Sequence, residues 1–196
     1  MFIETTDESA AEGALADWYR SQRDSWGFLP DYAGCFATRP DVAKAWAGLN
    51  LTIRGGMDRR RFEIATIAAA RALRSTYCTV AHASFLRDVC GDEQTVEALA
   101  LAPDGSALSG TDAAVYGFAT KLARDAAAIT QGDVDALRDA GLSDAEVADV
   151  VFAVSARAFF TKVLDGLGAQ LDPETAATFP PDVLEAMVVG RPVGGP

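Results

Sequence analysis

The sequence predicts an all-α protein, a compact bundle of about eight to nine helices with no significant sheet. Three observations carry that expectation. Apolar residues recur at helical rather than alternating spacing in nearly every segment. Asp, Ser or Thr stands before most of these runs, and glycines follow several of them. The chain has 196 residues, 49% of them apolar, which is enough for one domain with a full core. That domain is expected over residues 1–170, with residues 171–196 as a C-terminal tail.

Asp7 or Ser9 caps a first helix with Ala11, Leu15 and Trp18 on one stripe, fading by Arg23. Gly27 and Pro30 break DSWGFLPDY into a loop, and a short helix covers Tyr32 to Thr38. Pro40 opens the next helix, where Val42, Trp46, Leu49 and Ile53 form a stripe expected to be buried; Gly55-Gly56 stops it. Asp58 caps an Ala-rich helix from Arg59 to Leu73. Its basic start, Arg59, Arg60 and Arg61, reads as a solvated face. Ser75 is placed as the N-cap of a helix over Thr76 to Cys90, its hydroxyl accepting the Cys78 N–H.

Further helices run from Glu93 to Ala100, from Thr111 or Asp112 onward, and from Thr130 to Gly141. Ser143 and Glu146 make a capping box for a long helix to about Leu167, lined by Val147, Val151, Val154, Ala158 and Thr161. The tail holds Pro173, Pro180, Pro181, Pro192 and Pro196, and reads as a surface wrap or a disordered end. The α-helix after Asp58 has a faint echo in the one after Ser143: GMDRRRFEIATIAAARA against GLSDAEVADVVFAVSARA.

A net charge of −11 argues against nucleic acid and anionic membrane surfaces as partners, since both need a basic face. The start, MFIETTDESAAEG, has no basic region and no apolar run of a secretory signal. The apolar run Ile64 to Ala70 is too short to span a bilayer. Cysteines 35, 78 and 90, odd in number and irregularly spaced, argue for a reducing cytoplasm. One histidine and no cysteine pair at ligand spacing argue against a metal site; with no Gly-rich phosphate loop after a strand, no cofactor is expected.

The chemistry concentrates in EIATIAAARALRSTYCTVAH, residues 63–82. His82, the only histidine, lies one helical turn beyond Cys78, on the same face. Glu63, on the preceding helix, is able to fold alongside and orient the imidazole. A thiol in a helix's first turn feels the positive end of the macrodipole, so a depressed Cys78 pKa is expected. Such a thiolate attacks a peroxide and becomes a sulfenic acid.

The spacing Glu63, Ser75, Cys78, His82 resembles the signature of the carboxymuconolactone decarboxylase and AhpD-like alkylhydroperoxidase family, a Glu followed by C-x-x-C-x-x-x-H. WGFLPDY is similar to the family's entry loop, with Asp31 where Asn is usual, and RPDVAKAW to the helix after it. SGTDAAVYGFATKLARDAAAITQGDVDALRDAGLSDAEVADVV followed by FFTKVLDGLG is similar to the peroxidase-related members, so the likeness spans about residues 17 to 172.

The resemblance implies an AhpD-like fold, a homo-oligomer, and a peroxidase-like antioxidant enzyme with Cys78 as nucleophile, His82 as base and Glu63 as relay carboxylate. Its substrate would be hydrogen peroxide or a small organic hydroperoxide. Ser75 stands where the family has its first cysteine, so no disulfide closes there, and the sulfenate needs an external thiol, Cys35 or Cys90 as reductant. Cys90, twelve residues along the same helix and roughly 18 Å away, does not reach. Cys35 and Cys90 read as inert buried thiols, and Trp18, Trp26 and Trp46 as core or interface anchors. The alternatives are non-redox acid–base chemistry on a small carboxylate or lactone, and a non-catalytic helical oligomer.

Overall fold

The computed structural model describes residues 1–194, among which there is no strand. The ten α-helices are α1 (Gly13–Trp26), α2 (Pro40–Gly55), α3 (Arg59–Ala72), α4 (Thr76–Asp88), α5 (Glu93–Leu101), α6 (Gly110–Arg124), α7 (Gln131–Asp139), α8 (Asp144–Leu167), α9 (Pro173–Ala176) and α10 (Pro181–Met187). Nine of them have seven or more residues, as the all-α expectation of eight to nine helices requires. Short 3-10 turns cover Glu8–Ala10, Asp31–Phe36 and Ala126–Ala128.

Helix α3 is the axis around which the others pack. Every residue from Phe62 to Ala70 is buried, which is the signature of a helix enclosed on all sides. Its alanines, Ala65, Ala68, Ala69 and Ala70, keep the cylinder narrow, and α4, α6 and α8 all pack against it. Asp58 starts it by accepting the Arg61 N–H. It ends in a Schellman turn: Ser75 N–H bonds the Ala70 carbonyl and Arg74 N–H the Arg71 carbonyl. Arg74 takes the left-handed conformation (φ 60°) that such a turn demands. Three residues, Leu73 to Ser75, therefore suffice to reverse the chain and lay α4 along α3.

The capping box expected at Ser143–Glu146 forms, a second one joins Thr130 to Asp133, and Gly141 ends the intervening segment at φ 97° as expected. Elsewhere the structure corrects the sequence reading. The first helix begins at Gly13, because Asp7 spends its carboxylate on the Ser9 N–H of a separate 3-10 turn. It runs through Trp26 and stops at left-handed Gly27, so DSW is helical rather than loop.

The α2 stripe is only partly core: Val42 and Trp46 are half-buried against it. Leu49 is 54% exposed, and together with Val42, Trp46 and Ile53 it lines an apolar groove of about 480 Å³ shared with Phe152 and Phe159 of α8. Spacing alone does not distinguish an inward stripe from one left facing outward. Nor are the three arginines a solvated face. Arg59 pairs with Glu63, Arg60 with Asp92 and Asp112, and Arg61 with Glu146.

The segment after Leu171 packs on the bundle. Leu171, Asp172, Thr175, Ala176, Phe179 and Met187 are buried, with α9 and α10 lying on α4 and α5. Asp172 is the tie. It accepts the Asp31 N–H at 2.7 Å and the Tyr77 hydroxyl, while Asp31 accepts the Gln170 N–H at 2.7 Å. Further on, the Val189 and Gly190 N–H groups donate to Thr76 Oγ1. Gly190 lies so close to the α3–α4 turn that a Cβ there would sit 1.8 Å from the Arg74 carbonyl oxygen.

Candidate functional site

Helices α1, α3, α4 and α8, the end of α2 and the loop around Tyr32 line a half-open cavity of about 450 Å³. Glu63, Cys78 and His82 all line it; Ser75 does not. Their burial is nearly complete: Glu63 0% exposed, Cys78 1%, His82 6%.

Glu63 is the one acid in the enclosed stretch of α3, and both of its oxygens are occupied. Oε2 meets His82 Nδ1 at 2.5 Å, and Oε1 accepts Arg59 Nε at 2.5 Å. Arg59, one turn earlier on α3, also lies over the Phe85 ring at 5.6 Å. Burial alone would raise the Glu63 pKa, but His82 and Arg59 more than offset it and hold it below the ordinary carboxylate value. For His82 the balance runs the other way. Burial, and then the charge of Arg157, push its pKa down to about 4 against the pull of Glu63. At neutral pH the pair is therefore an ionised Glu63 and a neutral imidazole. Because the carboxylate only accepts, Nδ1 carries the proton. The lone pair is on Nε2, which has no partner among the described residues.

Cys78 stands in the first turn of α4, but the macrodipole does not decide its state. Burial, the largest influence, pushes the thiol up. The charge of Arg157 and the nearby Ser75 hydroxyl pull down without cancelling it. The resting group is a thiol, and the expectation of a depressed pKa is corrected. Arg157 Nη1 approaches Cys78 Sγ at 3.8 Å. Nothing in the sequence reading pointed to this arginine, which lies 79 residues away, although the helix that carries it was expected.

Ser75 occupies the N-cap position of α4 without capping it. Its Oγ is buried and hydrogen-bonds nothing, lying beside the Cys78 thiol and the Asp165 carboxyl. Of the other thiols, Cys35 is buried against Met1, and burial pushes its pKa up to about 12. Cys90 is partly exposed beyond the end of α4, which corrects the expectation that it is buried. Neither lines the cavity.

The walls are aromatic. Trp46 stacks on Phe160 at 4.0 Å, Trp26 tilts against Phe85 at 5.2 Å, and Tyr32 stands edge-on to Phe160 and Tyr77. Trp18, Trp26 and Trp46 all border the space, so the three indoles are cavity walls as well as packing anchors.

Residues 40–121 match the model of the carboxymuconolactone decarboxylase family, a span that contains Glu63, Ser75, Cys78 and His82. No curated protein matches the chain in sequence. Among solved structures, the chain is similar to an alkylhydroperoxidase AhpD core, an uncharacterized peroxidase-related protein from Ralstonia eutropha JMP134. The TM-score is 0.79 at 20% identity, over 89% of this chain and 93% of that one. An uncharacterized peroxidase-related protein from Silicibacter sp. TM1040 superposes with TM-score 0.74 at 19% identity, over 87% and 93%. The debrominase Bmp8 in complex with 2,3,4-tribromopyrrole superposes with TM-score 0.76 at 16% identity, over 95% and 97%. At these identities the likeness is one of fold.

Proposed function

We propose, from the premise that over residues 40–121 this chain belongs to the carboxymuconolactone decarboxylase/AhpD-like family, that the cavity is the active site of a thiol-dependent peroxidase-like oxidoreductase. The observation that carries the reading is the Glu63–His82 contact at 2.5 Å, with Cys78 lining the same cavity. His82 Nε2 takes the Cys78 proton, and Glu63 stabilises the imidazolium that results. The thiolate, held beside Arg157, attacks the terminal oxygen of a small organic hydroperoxide. An S–O bond forms and the O–O bond breaks. The departing alkoxide takes the proton from His82, leaving an alcohol and a Cys78 sulfenic acid.

With a serine at position 75 the sulfenic acid has no neighbouring cysteine to resolve it. One external thiol condenses with it, releasing water, and a second frees Cys78 as the carrier disulfide leaves. The partners are thus a peroxide and a soluble thiol. A reducing cytoplasm suits this cycle, and among the described residues no helix is long and apolar enough to cross a membrane. A homo-oligomer, burying the apolar groove between α2 and α8, belongs to the same reading.

Dimedone-type trapping after treatment with an alkyl hydroperoxide, with mass-spectrometric location of the adduct, tests it. The label falls on Cys78 and is lost in His82→Ala. A folded protein whose Cys78 stays unlabelled sinks the peroxidase reading.

One group of observations favours a second reading, non-redox acid–base chemistry on a lactone or β-keto acid. Burial keeps Cys78 protonated, His82 is neutral with an unpartnered Nε2, and Ser75 excludes a disulfide. In that case Cys78→Ser retains turnover and His82→Ala loses it. The debrominase of the same fold is crystallised with a flat brominated pyrrole, which agrees with an aromatic-walled site taking an organic substrate.

A further inference from the structure

The chain carries a net charge of −11, yet its cavity is cationic. The lining groups charged at neutral pH are Arg54, Arg59, Arg157 and a single carboxylate, Glu63. Glu63 is already committed to Arg59 and His82. Among the described residues no carboxylate lies within ion-pairing distance of Arg54 or Arg157.

Arg157 is the more informative of the two. It sits mid-way along α8 and is only 3% exposed. Its Nη1 touches one polar atom, Cys78 Sγ, and its buried Nε has no acceptor. Its guanidinium carbon lies 5.3 Å from the Phe160 ring and 5.8 Å from the Trp46 ring. Trp46 Nε1 is a second buried donor without an acceptor. Cation–π contacts recover only part of what it costs to bury a guanidinium without a counter-ion. Buried donors without acceptors are rare enough in native proteins to require an explanation. A bound anion supplies both the missing charge and the missing acceptors. A carboxylate fits a guanidinium fork, and the aromatic walls fit a flat body.

We propose that Arg157, with Arg54 as its second cation, forms an anion subsite over Cys78, and that the site takes a small planar organic anion of the aryl or conjugated carboxylate class. This rests on the reading of the cavity as the substrate site, and it makes the hydroperoxide of that reading one that bears a carboxylate. The cavity volume, about 450 Å³, is within the range of small-molecule sites.

Calorimetric titration of the full chain with benzoate, benzamide and acetate tests it. Benzamide keeps the ring and removes the charge; acetate keeps the charge and removes the ring. Benzoate is expected to bind about tenfold more tightly than either, and to slow alkylation of Cys78 by iodoacetamide. Arg157→Gln weakens benzoate about tenfold without changing benzamide. Arg157→Lys recovers part of the loss, as a point charge without the fork, and Arg54→Gln gives a smaller loss. If Arg157→Gln lacks a cooperative melt, the other two variants decide. A loss of benzoate affinity in either supports the subsite, and unchanged affinity in both overturns it. Equal binding of benzoate and benzamide by the wild-type protein also overturns it.

Sulfenate labelling separates this proposal from the one it rests on. Arg157-dependent benzoate binding with Cys78 never oxidised keeps the subsite and removes the peroxidase. Oxidation of Cys78 with no preference for benzoate does the reverse.

Discussion

Glu63 sits in a helix whose neighbouring positions are all buried, and its charge is tolerated because two partners hold both oxygens. Glu63→Gln removes one half of a buried pair and is expected to cost about 3 kcal/mol in urea unfolding. It also frees the imidazole to adopt the other tautomer, so trapping of the Cys78 sulfenate slows on the order of a hundredfold. The pH dependence has a definite sign. An unfolded histidine takes up a proton near pH 6.5, while folded His82 refuses it until about 4, so stability falls as pH falls through that window. The full loss is on the order of 3 kcal/mol, and Glu63, also held low, extends it further into acid. Urea midpoints across the window show this slope, and His82→Gln flattens it. Ser75, beside Cys78, gives a test of a different kind. Ser75→Cys restores the family's first cysteine, and peroxide is expected to convert it to an intramolecular disulfide with Cys78, seen as a loss of two mass units and of the dimedone label.

At the scale of elements, the turn between α3 and α4 sets the site, since it brings Glu63 level with His82. The C-terminal segment clamps that turn from outside. Gly190→Ala would drive a methyl group into the Arg74 carbonyl. A loss of about 2 kcal/mol is expected, typical of over-packing against backbone, and amide exchange rises first around Thr76 and Val189. Asp172→Ala severs the tie from α9 to the loop at Asp31 and to Tyr77. About 3 kcal/mol is expected from the loss of two bonds to a buried acceptor, measured by denaturant unfolding. Tyr77 borders the cavity, so loosening this tie is also expected to disturb the cavity wall.

For the molecule as a whole, the caps of α3 and α8, the Ala-rich helix and the Glu63–His82 pairing were legible because each depends on local spacing: Asp58, the Ser143–Glu146 box, and residues facing across one short turn; the caps expected from Asp7 and Ser75 do not form on α1 and α4. Arg157 was not legible. An arginine in mid-helix carries no local signal, and its role depends on α8 crossing Cys78 in space. The outward turn of Leu49 and Ile53 was equally hidden, since period distinguishes a face but not what covers it. With Leu49, Phe152 and Phe159 at 43–54% exposure around one groove, the proposed homo-oligomer predicts that wild-type protein sediments as an assembly in sedimentation velocity and Phe159→Glu as a monomer, with the helical circular dichroism intact. The chain has only three tryptophans, and all three border the cavity that Cys78 lines. Its entire indole emission therefore originates within one wall's width of whatever enters, and a shift in its wavelength or intensity times each arrival and departure without any attached dye.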